Sequence, residues 1–425
     1  MRRPSVIAVA LLALLALLAG GCGRWEPREP TPSPSPTPTR APVAEPTPTP
    51  TPPPPPGPGD VLERAAWVHL FDDALKTRQG IRRVVADLAG AEATAIIAEV
   101  VRRQDAYYDS DVLARTADPA VEPGLDVLAA LIEEAHAAGL EVHAWIPVAP
   151  TWHESYVGLP APDGWLTTEH GQNAPEADRW VTRTVDGTWD TYLDPGLLEV
   201  RAHVAAVVGE IAGGYAVDGI HLDYVRYASD RHGYHPRALA RYQQETGTTG
   251  TPAPDDPAWS DWRRDQVTET ARAAAAAIDA AGSPALLSAA VISWGDGPGG
   301  PTTPSFADTR AYTEALQDWE HWAETGLVDV VMPMNYFREA RADQAGWLRT
   351  WLAYQEQLTA RTGARIVPGI AGYLNSPSDA LTQIGLAMAH SGAAAMYSYQ
   401  GSTSDPATPL WGDLAASGWG TTSGE

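Results

Sequence analysis

Asp223 closes the run Val217-Asp218-Gly219-Ile220-His221-Leu222-Asp223-Tyr224-Val225-Arg226-Tyr227, in which a short apolar strand passes into polar and aromatic residues. Strand alternation puts Ile220 and Leu222 on one face and His221 and Asp223 on the other. A carboxylate at the C-terminal end of a buried strand, beside an Arg and two Tyr, suits the mouth of a parallel barrel, where such folds keep their chemistry. The competing reading is a solvated Asp where a strand meets its loop. Arg226 would hold Asp223 ionised by lowering its pKa, as the nucleophile or base of a carboxylate pair requires. The second member should be a protonated acid in a drier setting. Glu99 answers that requirement, because it shares a strand face with Ile97 and Val101. If that face turned outward, Asp296 or Glu339 on loops would replace it.

The residues expected around this pair are Asp105, Tyr107, His143, Trp145, His221, Arg226, Tyr227, Trp294, Asn335, Tyr336, Tyr373 and Tyr399, each near the end of an apolar run. Carboxylates, amides and aromatic rings with few cations are what glycoside hydrolysis asks for, two acids to break the bond and flat surfaces to hold the sugar. Other chemistries find less support. The chain has no Cys outside the N-terminal region, no Gly-x-Ser-x-Gly elbow and no His-Glu-x-x-His. His232-x-x-His235 is a weak metal signal, better read as a polar loop. His143 and His221 read either as ligands beside Asp223 or as barrel-interior imidazoles bonded to neighbouring groups. No cofactor or metal is expected.

Eight strand-length apolar runs must position these residues: 66–71, 94–101, 141–146, 217–227, 286–293, 328–335, 365–370 and 394–399. Helical stretches separate them, among them 80–88, 123–138 with Gly139 as its stop, 197–212, 236–245, 259–281, 312–325, 346–362 and 378–390. Asp194-Pro195 reads as the cap and first residue of the helix before the fourth strand. Eight strand–helix units predict a (β/α)8 TIM barrel. An open doubly wound sheet is the alternative, weakened by the lack of a Gly-rich phosphate turn. The connection 147–196 is too long for a plain loop and holds Trp152, Trp165, Trp180 and Trp189. It reads as a Trp-rich insertion between strands 3 and 4, with the tryptophans forming part of a sugar-binding wall.

The N-terminal region is not part of the barrel. Arg2 and Arg3 precede the apolar run 6–19, which is too short for a comfortable membrane span and reads as a signal-peptide core. It ends at Leu18-Ala19-Gly20-Gly21-Cys22, which resembles a bacterial lipobox. Cys22 is the only Cys, so it forms no intrachain disulfide and is the expected lipidation site. Residues 1–21 are then a lipoprotein signal peptide. Residues 22–59 are a disordered Pro/Thr-rich linker, whose part 27–59, at ~3.1 Å per residue, reaches roughly 100 Å. The catalytic domain is expected over 60–415, with a disordered tail at 416–425. A formal charge of −24 argues against nucleic acid. Sixteen Trp and fifteen Tyr against three Phe favour surfaces that join an apolar face to a polar handle.

Several stretches together resemble the glycosyl-hydrolase-like family ten of bacterial extracytoplasmic lipoproteins, formerly a domain of unknown function. They are Asp105-Ala106-Tyr107-Tyr108, Leu125–Trp145 with its Gly-Leu-Glu-Val-His-Ala-Trp, Leu193-Asp194-Pro195-Gly196, Val217–Tyr227, Trp262-Arg263-Arg264, Gly326–Pro333 and Val367–Tyr373. They spread over most of residues 65–400. The resemblance implies a barrel glycosidase outside the cytoplasm, with peptidoglycan glycan strands lacking stem peptides as the substrate of some relatives. The chain departs from the family at Glu99, where Gln is frequent, at Gln104, where Gly is usual, and after Asp223, where many members carry a second Asp. The expectation is a monomeric glycoside hydrolase, held to a bacterial membrane through Cys22 and cutting an extracytoplasmic polysaccharide. A glycan-binding barrel lipoprotein that does not cut is the rival reading.

Overall fold

Eight parallel strands pair in chain order and close on themselves. They are β1 (Arg64–Val68), β2 (Ala95–Glu99), β3 (Glu141–Pro147), β4 (Gly219–Asp223), β5 (Leu286–Ile292), β6 (Val330–Asn335), β7 (Gly369–Ala371) and β8 (Ala394–Tyr397). The sheet order runs β5-β4-β3-β2-β1-β8-β7-β6, and a further β5–β6 pairing, with Ser288 opposite Val330, completes the circle. The result is a (β/α)8 barrel. This computed structural model describes residues 62–151, 166–400 and 410–420. The signal segment, Cys22 and the linker lie outside those residues, as do Trp152, His153, Trp165 and the last residues of the tail.

The sequence explains how each unit begins and ends. Helix α1 (Arg78–Gly90) starts where the Thr77 hydroxyl accepts the Gly80 N–H, and α2 (Val127–Ala137) starts where Asp126 accepts that of Ala129. Gly139, at φ 77°, lets the chain turn out of α2 into β3. Helix α3 (Leu198–Gly214) packs along α5 (Pro257–Ala281), with α4 (Pro236–Thr246) between them in the chain. The expected cap at Asp194 is a correction. Leu197 precedes α3 without a side-chain cap, and Asp194 instead accepts the Gly196 N–H at 2.8 Å and the Tyr227 hydroxyl at 3.0 Å. The helix expected over 312–325 is broken into α6 (Arg310–Thr313) and α7 (Trp319–Thr325). Leu316 takes a left-handed φ of 54° between them, and Asp318 caps the second piece. Helices α8 (Ala342–Thr362) and α9 (Pro377–Ser391) precede β7 and β8. Pro368, which has no N–H to give, separates β7 from the two-residue stretch Arg365–Ile366. Helix α10 (Leu410–Ser417) is followed by a short turn, Gly418–Gly420, in which Trp419 takes a left-handed φ of 59° and is buried with its indole N–H on the Ala91 carbonyl at 2.7 Å. Within the stretch expected to be free from 416, Trp419 is thus held against the barrel.

Two apolar regions follow from strand alternation. Outward side chains such as Ile96, Ile220, Leu222 and Val331 pack under the helices. Inward ones, among them Ala65, Trp67, Ile97, Met332 and Ala395, fill the barrel. The filling is polar at one level. The Trp67 indole donates to His221 Nε2 at 3.1 Å, His221 Nδ1 meets Ser288 Oγ at 2.9 Å, and His143 Nε2 meets Glu141 at 3.1 Å. Burial, and then the neighbouring His143, push the His221 pKa down to about 3, so the imidazole is neutral. These layers make the barrel a packed core that supports whatever lies above it.

Candidate active site

Above that layer, at the C-terminal ends of the strands, lies a cavity of about 500 Å³. Parity decides what enters it. In β4 the inward positions are 219, 221 and 223, so Asp223 stands over His221, and in β2 Glu99 stands over Ile97. Both carboxylates line the cavity, and both are nearly buried, 6% and 3% exposed.

Asp223 accepts the Trp145 indole N–H at 3.2 Å and the Tyr224 N–H at 2.7 Å. Burial pushes its pKa up to about 6. Arg226, the Tyr224 N–H and the Trp145 indole all pull it down without prevailing. The expectation that Arg226 would set a low value is thus corrected: the site is drier than the sequence suggested. Glu99 accepts the Leu70 N–H at 2.7 Å and an Arg102 N–H at 3.2 Å. Its pKa is also raised, by burial first and by the charge of Asp223 in addition, against the pull of Arg102, the Leu70 N–H and Arg103. The two acids therefore feel each other across one cavity.

Two strained turns shape the walls. Tyr224 takes a left-handed φ of 53° directly after β4, so its ring lines the cavity beside Asp223, although alternation would send it outward. Arg103 and Gln104, at φ 51° and 66°, form the two-residue turn of a hairpin in which Arg102 pairs with Asp105. Such turns favour Gly or Asn. Gln104 holds this one with an amide bonded to the Val148 carbonyl at 3.0 Å and an oxygen met by His203 Nε2 at 3.1 Å. The turn carries Arg103 into the lining.

Of the residues expected here, Trp145, Arg226, Trp294, Tyr336 and Tyr373 line the cavity with Glu99 and Asp223. Others lie elsewhere. His143 and His221 sit in the polar layer of the barrel core, both fully buried. Tyr107 is buried with its hydroxyl on Asp118, and Tyr227 is buried on Asp194. Asn335 is the outward neighbour of Met334 and exchanges amide bonds with Gln355 of α8 at 3.1 and 3.3 Å. Tyr399 lies beyond the end of β8, stacked on Trp411 and bonded to Asp87. Asp105 stands at the hairpin next to Arg103 and outside the lining; burial lifts its carboxyl to about 7.

The expected tryptophan wall is corrected where it is described. Trp180 stacks on His170 at 3.8 Å and packs against the α3–α5 cluster, and Trp189 lies under Arg179. Neither lines the cavity; Pro150 and Tyr192 of the same connection do. Also in the lining are Arg102, Arg103 and Tyr397, which the ends of the second and eighth strands offer in the sequence, and, outside any expectation, Trp67, Phe71, Tyr192 and Tyr224. Trp67 was within reach, since it follows Ala65 in inward parity, as Tyr397 follows Ala395. Phe71 sits on the loop after β1 and Tyr192 on a short strand, Trp189–Leu193, of the connection after β3, and neither carries such a signal. Tyr397 is central among the rings, 5.3 Å from Tyr336, 5.9 Å from Tyr373 and 6.2 Å from Trp145. Among the described residues no cluster of three or more His, Cys, Asp and Glu is arranged to hold a metal ion.

Comparison with known proteins places this arrangement. Residues 63–379 match the family described as glycosyl hydrolase-like 10. Glycosyl hydrolase DigH of Escherichia coli strain K12 is 26% identical over 260 residues, which are 59% of this chain and 55% of that protein. Glycosyl hydrolase YngK of Bacillus subtilis strain 168 is 26% identical over 269 residues, 61% of this chain and 49% of that one. The chain thus spans about half the length of the curated relatives it matches. Among solved structures, the PgaB (BpsB) glycoside hydrolase domain from Bordetella bronchiseptica superposes with a TM-score of 0.55 at 16% identity, over 79% of this chain and 94% of that one. The catalytic domain of a β-amylase from Paenibacillus polymyxa gives 0.58 at 12% identity, over 81% and 94%. At these identities the two structures speak for the barrel alone. The match over residues 63–379 takes in all of β1 to β7 and both cavity carboxylates: the chain belongs to the glycosyl hydrolase-like 10 family.

Proposed function

We propose that this protein is a glycoside hydrolase in which Glu99 and Asp223 form the working carboxylate pair. The observation that carries the reading is the pair itself: two buried acids from separate strands, facing one aromatic-lined cavity at the C-terminal mouth of a barrel. Hydrolysis of a glycosidic bond needs a proton for the departing oxygen and a carboxylate on the other side of the sugar. Glu99, whose proton burial and Asp223 help to retain, gives the proton. Asp223, ionised above about pH 6, serves as nucleophile or base, its charge held by the Trp145 indole and the Tyr224 N–H. Tyr336, Tyr373, Tyr397 and Trp294 offer the sugar its apolar faces. A binding protein that does not cut would have little use for two acids kept dry, since burying them costs stability.

The substrate we propose is an extracytoplasmic polysaccharide, with peptide-free peptidoglycan strands foremost among the candidates, and the protein is held at the membrane by a lipid on Cys22. The purified protein, incubated with a panel of glycans that includes those strands, releases fragments that mass spectrometry detects. Tight binding of one glycan with no fragments from any member of the panel would replace hydrolysis with binding.

A further inference from the structure

The hydrogen-bonding side chains of the cavity are few in kind. Among the described residues that line it there is no Asn, Gln, Ser, Thr, His or Lys. Beyond the two acids and the guanidiniums, its polar side chains are indoles and phenols. Trp67 and Trp145 commit their indole N–H groups to His221 and Asp223, at 3.1 and 3.2 Å. That leaves the Trp294 indole and the phenol hydroxyls of Tyr192, Tyr224, Tyr336, Tyr373 and Tyr397. None of these hydroxyls makes a hydrogen bond among the described residues, and none is a buried atom sealed in without a partner. Elsewhere the hydroxyls of Tyr107, Tyr108 and Tyr227 donate to Asp118, Glu210 and Asp194, at 3.1, 2.9 and 3.0 Å.

Three of the five stand about the acid pair. Tyr224 follows Asp223 directly, and its left-handed φ of 53° turns the ring into the cavity. That backbone region suits Gly or Asn, so the ring is held there against its preference. Tyr192 lies edge-on to it at 5.9 Å and the Arg226 guanidinium over it at 4.8 Å. Tyr397, the last residue of β8, lies 6.2 Å from Trp145, whose indole is bonded to Asp223, and Tyr336 lies 5.3 Å from Tyr397. Neither acid accepts a hydrogen bond from any of the three. Burial keeps each of these hydroxyls protonated. The charge of Asp223 adds to this in all three, and that of Glu99 in Tyr224 and Tyr397. The other two are placed differently: Tyr373 is 48% exposed, and the charge that Tyr192 feels comes first from Arg226.

We propose that the hydroxyls of Tyr224, Tyr336 and Tyr397 hydrogen-bond hydroxyl groups of the sugar at the scissile bond, so that this ring is read by neutral phenols. This rests on the glycosidase reading above. A phenol donates and accepts at once, as a sugar hydroxyl does. Such contacts bring no further charge to the acids, whereas a third carboxylate or a Lys would move the protonation of both. A ring uses its face for stacking and its hydroxyl edge for hydrogen bonding, so the two roles are separable by substitution.

The test removes one hydroxyl at a time and keeps the ring, in Tyr224→Phe, Tyr336→Phe and Tyr397→Phe. The probes are soluble peptide-free peptidoglycan strands and β-1,4-linked oligomers of glucose and of N-acetylglucosamine. On the probe that the wild type cleaves, kcat/KM falls about three- to tenfold in each variant, as loss of one neutral hydrogen bond implies. Calorimetric titration of that probe shows weaker binding when each substitution is added to the Asp223→Asn protein. The thermal midpoint without glycan stays at the wild-type value, because the hydroxyl has no bond in the protein to lose. Phe variants that cleave and bind within twofold of wild type would leave only the ring faces at work and overturn the proposal. A loss of turnover with unchanged binding and a displaced acidic limb of the pH–rate profile would also overturn it, since the hydroxyls would then act on the acids. So would a loss that follows a lowered thermal midpoint. Failure of the glycosidase reading shows separately, as a probe whose binding depends on the three hydroxyls and from which the wild type releases no fragments.

Discussion

At the scale of single residues the site is governed by how dry its acids are. Asp223 protonates at about 6 in the folded chain against 3.8 for an unperturbed Asp, because burial outweighs its three favourable partners. The Trp145 indole stabilises only the ionised form. Its removal in Trp145→Phe therefore raises the Asp223 pKa further. In a pH–rate profile of kcat/KM the acidic limb, which lies near 6 in the wild type, moves to higher pH in that variant; an unmoved limb would detach Asp223 from it. The same shift has a stability consequence. The folded state holds a proton that the unfolded chain has lost between pH 3.8 and about 6, so stability falls as pH rises through that window. Asp223→Asn removes the charged form altogether. Its thermal midpoint should exceed that of wild type by about a few degrees at pH 7, and the gain should vanish below pH 4. A variant less stable than wild type at pH 7 would show that Asp223 is held by better partners than the Trp145 and Tyr224 donors.

At the scale of elements, strand parity is what the sequence made legible. It put Asp223 and Glu99 on inward faces, and the same rule accounts for Trp67, Trp145 and Tyr397. It also separates Met334, in the lining, from Asn335, which faces α8. Where the chain leaves regular alternation the rule stops working. Tyr224 turns inward through a left-handed backbone, Tyr399 lies beyond the last residue of β8, and the Arg103–Gln104 turn is held by Gln104 bonds to distant carbonyls. None of these follows from periodicity, because each depends on contacts made elsewhere in the fold. The support beneath the site is tight as well. A Cβ on Gly219 would lie 2.1 Å from His143 Nδ1, and His143 is itself tied to Glu141 within the barrel. Gly219→Ala should cost roughly 1–3 kcal/mol or more through overpacking, read as a lowered denaturant midpoint. A midpoint equal to wild type would mean that the imidazole layer yields freely.

At the scale of the whole molecule, an acidic chain encloses an aromatic-lined cavity, in a barrel that Cys22 precedes in the sequence. Among the described residues no helix is long and apolar enough to cross a membrane. The anchoring proposal therefore rests on Cys22 and makes its own prediction: processed Cys22→Ser protein appears in the soluble fraction, whereas processed protein that stays with the membrane would count against a lipid anchor. The eight strand–helix units were readable because each buries a regular apolar pattern. For Trp180 and Trp189 the expected sugar wall fails because composition cannot tell a stacking platform from a core ring. Among the described residues of that connection, Trp180 and Trp189 pack on protein and Tyr192 reaches the cavity. The central claim is that Asp223 takes part in breaking a glycosidic bond. Its most direct test is the turnover of Asp223→Asn on a glycan that the wild type cleaves, with binding of that glycan measured alongside. Turnover should fall by roughly 10³-fold or more, as loss of one carboxylate of a working pair implies, while binding is largely kept. Turnover within a few-fold of wild type would contradict the account.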